Sequence, residues 1–246
     1  MESFSLISGR HAIEEAIESN QSVEKIFLAR SVTGPFEKFL RHTSRERNIP
    51  LAYVEKAKLD KLSRSNHQGV IAFITPIHYY TFDDLIPHLI DTIGNPLILI
   101  PDGVTDIRNI GAMARSAEVL GASAIMLPTD RSALLNEFAM KSSAGAILKI
   151  PICRTHSLIN ATDFLIASGF ELIGLDGSGE KKISELENSG APLAVIVGDE
   201  EKGIRKPLLQ KCHQVYRIPQ VGQTESLNVS VATAIALYQA MIIKQS

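Results

Sequence analysis

Residues 217–241 read RIPQVGQTESLNVSVATAIALYQAM. From Val231 onward almost every position is Ala, Val, Ile, Leu, Tyr or Met, the pattern of a helix buried nearly all round. Yet Ser226, Asn228 and Ser230 crowd its first turn. A helix N-terminus leaves backbone N–H groups without partners, so capping accounts for one such side chain, or two. It does not easily account for Ser226 and Asn228 together with the glycine-bearing loop QVGQTE before them.

Working outward, the same pairing of apolar strand and helix recurs. PLILIPDG, ASAIMLP, KIPICR, FELIGL, PLAVIVG and QVYRIP read as strands, separated by helix patterns such as NIGAMARSAEVLG, SALLNEFAMKSS and SLINATDFLIASG. Short continuous apolar strands alternating with helices predict a parallel sheet covered on both faces. Nearer the N-terminus, GRHAIEEAIES, VEKIFLA, PFEKFLRHTSRER, LAYVE, KAKLDKLSR and GVIAFITP alternate helix and strand and predict a small α/β domain. A proline-punctuated stretch with one helix pattern separates the two. The expected organisation is a domain over 1–77, a linker over 78–95 and a larger α/β domain over 96–246.

At 246 residues, 45% apolar and 21% charged, the chain has the composition of an ordinary globular protein. No run approaches the roughly 18 apolar residues that span a membrane. MESFSLISGRHAIEE lacks a cationic segment followed by an apolar one, so a cytoplasmic protein is expected. Cys153 and Cys212 have no CxxC or Cys/His cluster beside them, which argues against a disulfide scaffold or a metal site. A net charge of −2 disfavours a purely electrostatic nucleic-acid binder. The charge is uneven, though: Lys38, Arg41, Arg45, Arg47, Lys56, Lys58, Lys61 and Arg64 face only Glu37, Glu46, Glu55 and Asp60 in the same span. That span is either a solvated helical face or a patch for a phosphate backbone.

Parallel α/β sheets bind ligands beyond the carboxyl ends of their strands, and three such ends are chemically rich. After LILI come Asp102, Asp106, Arg108 and Asn109, then a helix expected near Ile110 with Ile110, Met113, Ala114, Ala117 and Leu120 on its inner stripe. Arg115 lies off that stripe, roughly 9 Å along the axis from Asn109, within reach of a long side chain. The pair forms part of one site, or Asn109 caps the helix and Arg115 serves a surface ion pair. After PLAVIV come Gly198, Asp199, Glu200, Glu201 and Gly203. Gly198 admits close backbone approach, and the acids either suit a helix N-terminus or orient a cationic or hydroxyl-bearing group. The third end is the opening stretch. No G-x-G-x-x-G follows a strand and opens a helix, so a nicotinamide-type site is disfavoured; LDGSGEKK, 175–182, reads as a loop. The seven histidines do not cluster.

The three segments occur in a recognisable order. NIGAMARSAEVLGA, VIVGDEEKGI and IPQVGQTESLNVSVATAIALY resemble the three motifs of the SpoU (TrmH) family of RNA ribose 2′-O-methyltransferases in the SPOUT superfamily, and KSSAGA, 141–146, resembles its spacer motif. The resemblance covers roughly 96–243. GRHAIEEAI and HQGVIAFI resemble the start and end of the family's substrate-binding module, a pairing similar to the RlmB-like branch. This chain has Asp106-Ile107-Arg108-Asn109 where the family usually has Asp-Pro-x-Asn, and Asp199 where a small residue is common.

The resemblance implies a SPOUT-type parallel sheet whose C-terminal segment threads a trefoil knot. It implies an S-adenosylmethionine pocket lined by Gly198, Ile218 and Leu227, and a homodimer in which an arginine of one subunit faces the other's cofactor. Asn109, Glu200, Ser226 and Asn228 are then expected around the reacting ribose. Arg115 is expected to bind the adjacent phosphate and stabilise alkoxide charge, since a guanidinium is a poor base. The leading domain is expected to grip RNA through Arg10, His67 and Gln68, with Arg41, Arg45 and Arg47 on phosphates. The implied target is a guanosine of 23S rRNA in the peptidyl-transferase region, with no metal and no membrane. A tRNA methyltransferase of the same family, or a non-catalytic RNA-binding assembly factor, shares these motifs.

Overall fold

The computed structural model describes residues 5–130, 135–222 and 226–245. The chain divides into two compact units, one of residues 1–78 with 134–137, the other of the remainder.

In the first unit the chain runs through β1 (Ser5–Ser8), α1 (Arg10–Glu18), β2 (Val23–Ala29), α2 (Pro35–Glu46), β3 (Leu51–Val54), α3 (Lys56–Leu62) and β4 (Val70–Ile74). Its sheet order is β1-β4-β2-β3, with β2 and β3 parallel and β4 antiparallel to both neighbours. Leu28, Ile71 and Ala72 of the central strands pack with Ile13, Leu40 and Leu59 from the three helices. Burying such side chains supplies about 1.5–3 kcal/mol each.

The second unit holds β5 (Tyr79–Tyr80), α4 (Phe82–Ile93), β6 (Leu97–Asp102), α5 (Ile107–Val119), β7 (Ala124–Pro128), α6 (Glu137–Ser142, its first residue grouped with the other unit) and β8 (Ile152–Thr155). It continues with α7 (Leu158–Ala167), β9 (Glu171–Leu175), β10 (Lys181–Lys182), β11 (Leu193–Gly198), α8 (Lys206–Leu209), β12 (Gln214–Arg217) and α9 (Val229–Gln245). The eight strands run in the order β10-β12-β9-β11-β6-β7-β8-β5, every pair parallel. All six residues of β6 are buried, as a strand covered on both faces requires.

Three expectations change. The stretch 78–95 is no bare linker: β5 pairs with β8, and α4 sends Leu85, Ile86 and Leu89 into the core beside Ile98 and Met126. LDGSGEKK is more than a loop, since Lys181 and Lys182 pair with β12. Nor is α9 buried all round: Val231, Tyr238 and Ile242 are 47, 52 and 37% exposed. They share one stripe, at i, i+7 and i+11, facing away from the sheet.

The topology places the crevice. β6 and β11 are neighbours, but the chain leaves β6 toward β7 on one side and leaves β11 toward β12 on the other. Where connections part in this way, the ends of the two strands open a cleft. Asp102 and Gly198 are paired at that edge.

Candidate functional site

Asn109, Glu200 and Asn228 meet. The Glu200 Oε1 accepts from Asn228 Nδ2 at 2.6 Å, from the Val229 N–H at 3.1 Å and from Asn109 Nδ2 at 3.3 Å, and Asn228 Nδ2 also donates to Asn109 Oδ1 at 3.0 Å. Asn228 Oδ1 in turn accepts from the Ser230 N–H at 3.0 Å and the Ser230 hydroxyl at 2.5 Å. So Asn228 caps α9 with its oxygen, while its amide nitrogen joins the cluster. The polar crowd in this first turn answers two demands at once, and Glu200 adds a negative charge at the helix's positive end.

Local structure frees these side chains for the task. α5 starts at Ile107, three residues before the expected point, and its cap is Asp106, which accepts from the Arg108 N–H at 2.8 Å. The Arg108 side chain and N–H hold the Asp106 carboxyl below the usual carboxylate range. Asn109 is therefore not the cap. Likewise Asp199 closes its own turn on the N–H groups of Glu201 and Lys202, and α8 has no acid in its first turn. That leaves Glu200 to face the cluster.

Beside the cluster lies a cavity of about 160 Å³ whose wall includes Gly198, Ile218 and Leu227 as well as Ser226. Ser226 thus belongs to the cavity wall, while Asn228 holds the cluster. Gly198 is required for a reason other than ligand approach: a Cβ there would stand 2.0 Å from the Gly203 carbonyl carbon, so the 199–203 turn folds flat against it. Arg115 is exposed on α5 and joins no ion pair or hydrogen bond among the described residues.

Two carboxylates hold the turns near the cavity: Asp102, already named at its strand end, and Asp176, which the sequence pattern did not single out. Asp102, whose side chain is fully buried, accepts from Arg205 Nε at 2.6 Å and from the Arg205 N–H at 2.8 Å. Asp176, at the end of β9 and on the cavity wall, accepts from the Ile204 N–H at 3.1 Å and from the Ser178 hydroxyl at 2.7 Å. Burial works against its charge, yet the bonds from Ser178 and Ile204 outweigh it and hold the carboxyl below the usual range. The only available signal was position, an Asp just after an apolar strand. Neither cysteine is a nucleophile here, since burial pushes the Cys153 thiol up to about 12 and that of Cys212 to about 11.

In the first unit the expected RNA contacts divide. Arg41 and Arg45 lie exposed on the outer face of α2 with Lys38. Arg47, also exposed, donates one guanidinium nitrogen to the Ile17 carbonyl at 2.6 Å and to Asn20 at 3.0 Å, so it ties α1 to α2. His67 is buried, with Nε2 on Asp60 at 2.9 Å and Nδ1 accepting from the Gly69 N–H at 3.0 Å, so it fixes its loop and offers no free edge. Gln68 Oε1 accepts the Arg10 N–H at 3.2 Å.

Residues 96–238 match the model of the SpoU rRNA methylase family, and residues 6–80 match that of the RNA 2′-O ribose methyltransferase substrate-binding domain. The chain belongs to the SpoU family. It is, at that level, an RNA methyltransferase. A protein of Staphylococcus saprophyticus described as a putative TrmH family tRNA/rRNA methyltransferase is 33% identical over 95% of this chain and 94% of its own length. A Staphylococcus aureus protein of the same description is 32% identical over the same shares. Among solved structures, an RNA 2′-O ribose methyltransferase superposes with a TM-score of 0.57 at 25% identity, over 99% of this chain and 90% of that one. The SpoU methyltransferase AviRb of Streptomyces viridochromogenes, in complex with AdoMet, gives 0.59 at 23% identity, over 99% and 91%, and shares the fold. Among the described residues no helix is long and apolar enough to cross a membrane, and no group of three or more His, Cys, Asp or Glu is placed to hold a metal.

Proposed function

We propose that this protein transfers a methyl group from S-adenosylmethionine to a ribose 2′-hydroxyl of RNA, the target being a guanosine of 23S rRNA in the peptidyl-transferase region. The observation that carries the reading is the Asn109–Glu200–Asn228 cluster at the lip of the 198/218/227 cavity. The cavity fits the cofactor's chemistry: Val197, Ile218 and Leu227 give apolar wall, while Asp176 and Glu200 place carboxylates where a cationic sulfonium is favoured. Bound there, S-adenosylmethionine supplies the methyl group as an electrophile.

Glu200 Oε1 takes three donors, so its part is to fix the two asparagine amides. Asn228 spends both amide hydrogens on Glu200 and Asn109 and both oxygen lone pairs on Ser230, so it is Asn109, with one N–H and one lone pair left, that holds the ribose hydroxyl in place. The proton then leaves to water as the bond forms. Arg115 and Val119 share one exposed face of α5, which packs on α9 with its stripe of Val231, Tyr238 and Ile242. That apolar surface supports a homodimer, with Arg115 offered across it to a phosphate. The knotted C-terminal path is part of the same reading.

The leading unit supports rRNA over tRNA as substrate. Nucleoside mapping of rRNA and tRNA from cells with and without the protein tests it. Loss of one 2′-O-methylguanosine from 23S rRNA is expected; a loss confined to tRNA overturns the target, and no change in either overturns the activity.

A further inference from the structure

Two hollows in the first unit share Arg10 and Gln68. One, of about 940 Å³, opens between α1 and the start of α2 and is walled by Arg10, Glu14, Glu18, Phe36 and Phe39. Arg10, Glu14 and Glu18 follow at four-residue spacing, so they form one stripe along α1. Arg10 forms no ion pair among the described residues. Its guanidinium carbon sits 5.2 Å from the centre of the Phe36 ring, while Glu14 lies 3.6 Å from His11. The other hollow, of about 550 Å³, brings Arg10 and Lys56 together with Ser31, Thr33, Ser65 and Asn66, and the one carboxylate on its wall, Asp60, is engaged by His67. The loop between the hollows is fixed by His67 on Asp60 and by Gln68 on the Arg10 N–H.

These groups fit one nucleotide better than they fit a peptide. A planar guanidinium backed by an aromatic ring is a stacking platform for a base. Carboxylates accept hydrogen bonds and donate none. On the Watson–Crick edge, guanine alone presents two adjacent N–H donors, at N1 and N2, with O6 beside them. Adenine and cytosine put a ring acceptor next to the amino group, and uracil flanks its one donor with carbonyls. A cation, hydroxyls and an amide in the adjoining hollow suit a phosphate and its ribose.

We propose that the α1–α2 hollow is a docking subsite for one unpaired guanine of the RNA substrate, stacked on Arg10 with its N1/N2 edge toward Glu14 and Glu18 and its phosphate on the Lys56 side. The inference rests on the reading of this protein as an RNA-modifying enzyme and adds a base preference that lies in the first unit.

Fluorescence anisotropy of the full chain with labelled pentaribonucleotides UUGUU, UUIUU (inosine in the centre) and UUAUU tests it. UUGUU is expected to bind about tenfold tighter than UUAUU, with UUIUU between them because it lacks the N2 amino group. Arg10→Ala should weaken UUGUU about tenfold, and Glu14→Gln should shrink the difference between UUGUU and UUIUU while UUAUU binds as before. Circular dichroism melts of both variants establish that they fold. Equal affinity for all three oligomers, an unchanged Arg10→Ala, or a hollow that takes peptide in preference to every pentamer overturns the proposal. Methyl transfer to 23S fragments is measured alongside. Transfer together with base-indifferent binding sinks the subsite alone, whereas guanine-selective binding with no transfer to any RNA sinks the catalytic reading alone.

Discussion

Asp102 and Glu200 stand at the ends of neighbouring strands, and the sheet treats them in opposite ways. Asp102 is sealed: its side chain has no exposure, and both oxygens are taken by the backbone and guanidinium of Arg205. Glu200 is exposed, and two of its three donors are side-chain amides, of which Asn109 has hydrogen-bonding capacity left over. A buried carboxylate with saturated partners holds a loop in place. An exposed one that orders other polar groups presents them to a ligand. The contrast separates scaffold from site within a few residues of chain.

Four substitutions test that contrast, in descending order of effect. Asp102→Ala removes the buried acceptor of the Arg205 N–H and guanidinium, so unfolding in urea should show a loss of about 2–3 kcal/mol; a loss below about 1 kcal/mol would erase the distinction. Glu200→Gln keeps the shape but removes the charge that holds both amides, and kcat for methyl transfer should fall about 100-fold while the melting temperature barely moves. A collapse in stability instead would make Glu200 a scaffold residue too. Asn228→Ala removes both the α9 cap and one member of the cluster, which predicts a stability loss of about 1 kcal/mol accompanied by a drop in activity. The smallest effect is a pH dependence. Because the folded Asp176 carboxyl lies below its unfolded value, its stabilisation is present above the unfolded pKa and is lost as pH falls through the folded one. Asp176→Asn should therefore be less stable than the parent near neutrality, and the two melting curves should converge below about pH 4.

Much of this was legible in the chain. The apolar strands predicted a parallel sheet because strands covered on both faces need no polar alternation. Asn109, Glu200 and Asn228 stood out because polar residues gathered just beyond such strands. Other features were hidden by the local nature of pattern reading. Arg47 and His67 look like RNA contacts in sequence, and only their partners 30 and 7 residues away show that Arg47 ties two helices together and that His67 is turned inward. Tyr79 and Tyr80 gave too short a pattern to read as a strand, because a two-residue edge pairing comes from the neighbour β8. The α9 stripe was invisible too, since apolar composition cannot say which apolar face is left uncovered.

The order of residues along the chain determined the alternation of strands and helices, the family motifs and the polar clusters at three strand ends, because periodicity and hydrogen-bonding type are local properties. Tertiary structure decided which clusters met. Parallel pairing of β6 with β11, and the return of α9 onto α5, brought Asn109, Glu200 and Asn228 within hydrogen-bonding distance across 91 and 28 residues of chain. It also decided which charges were sealed and which were left exposed, since burial depends on what packs alongside.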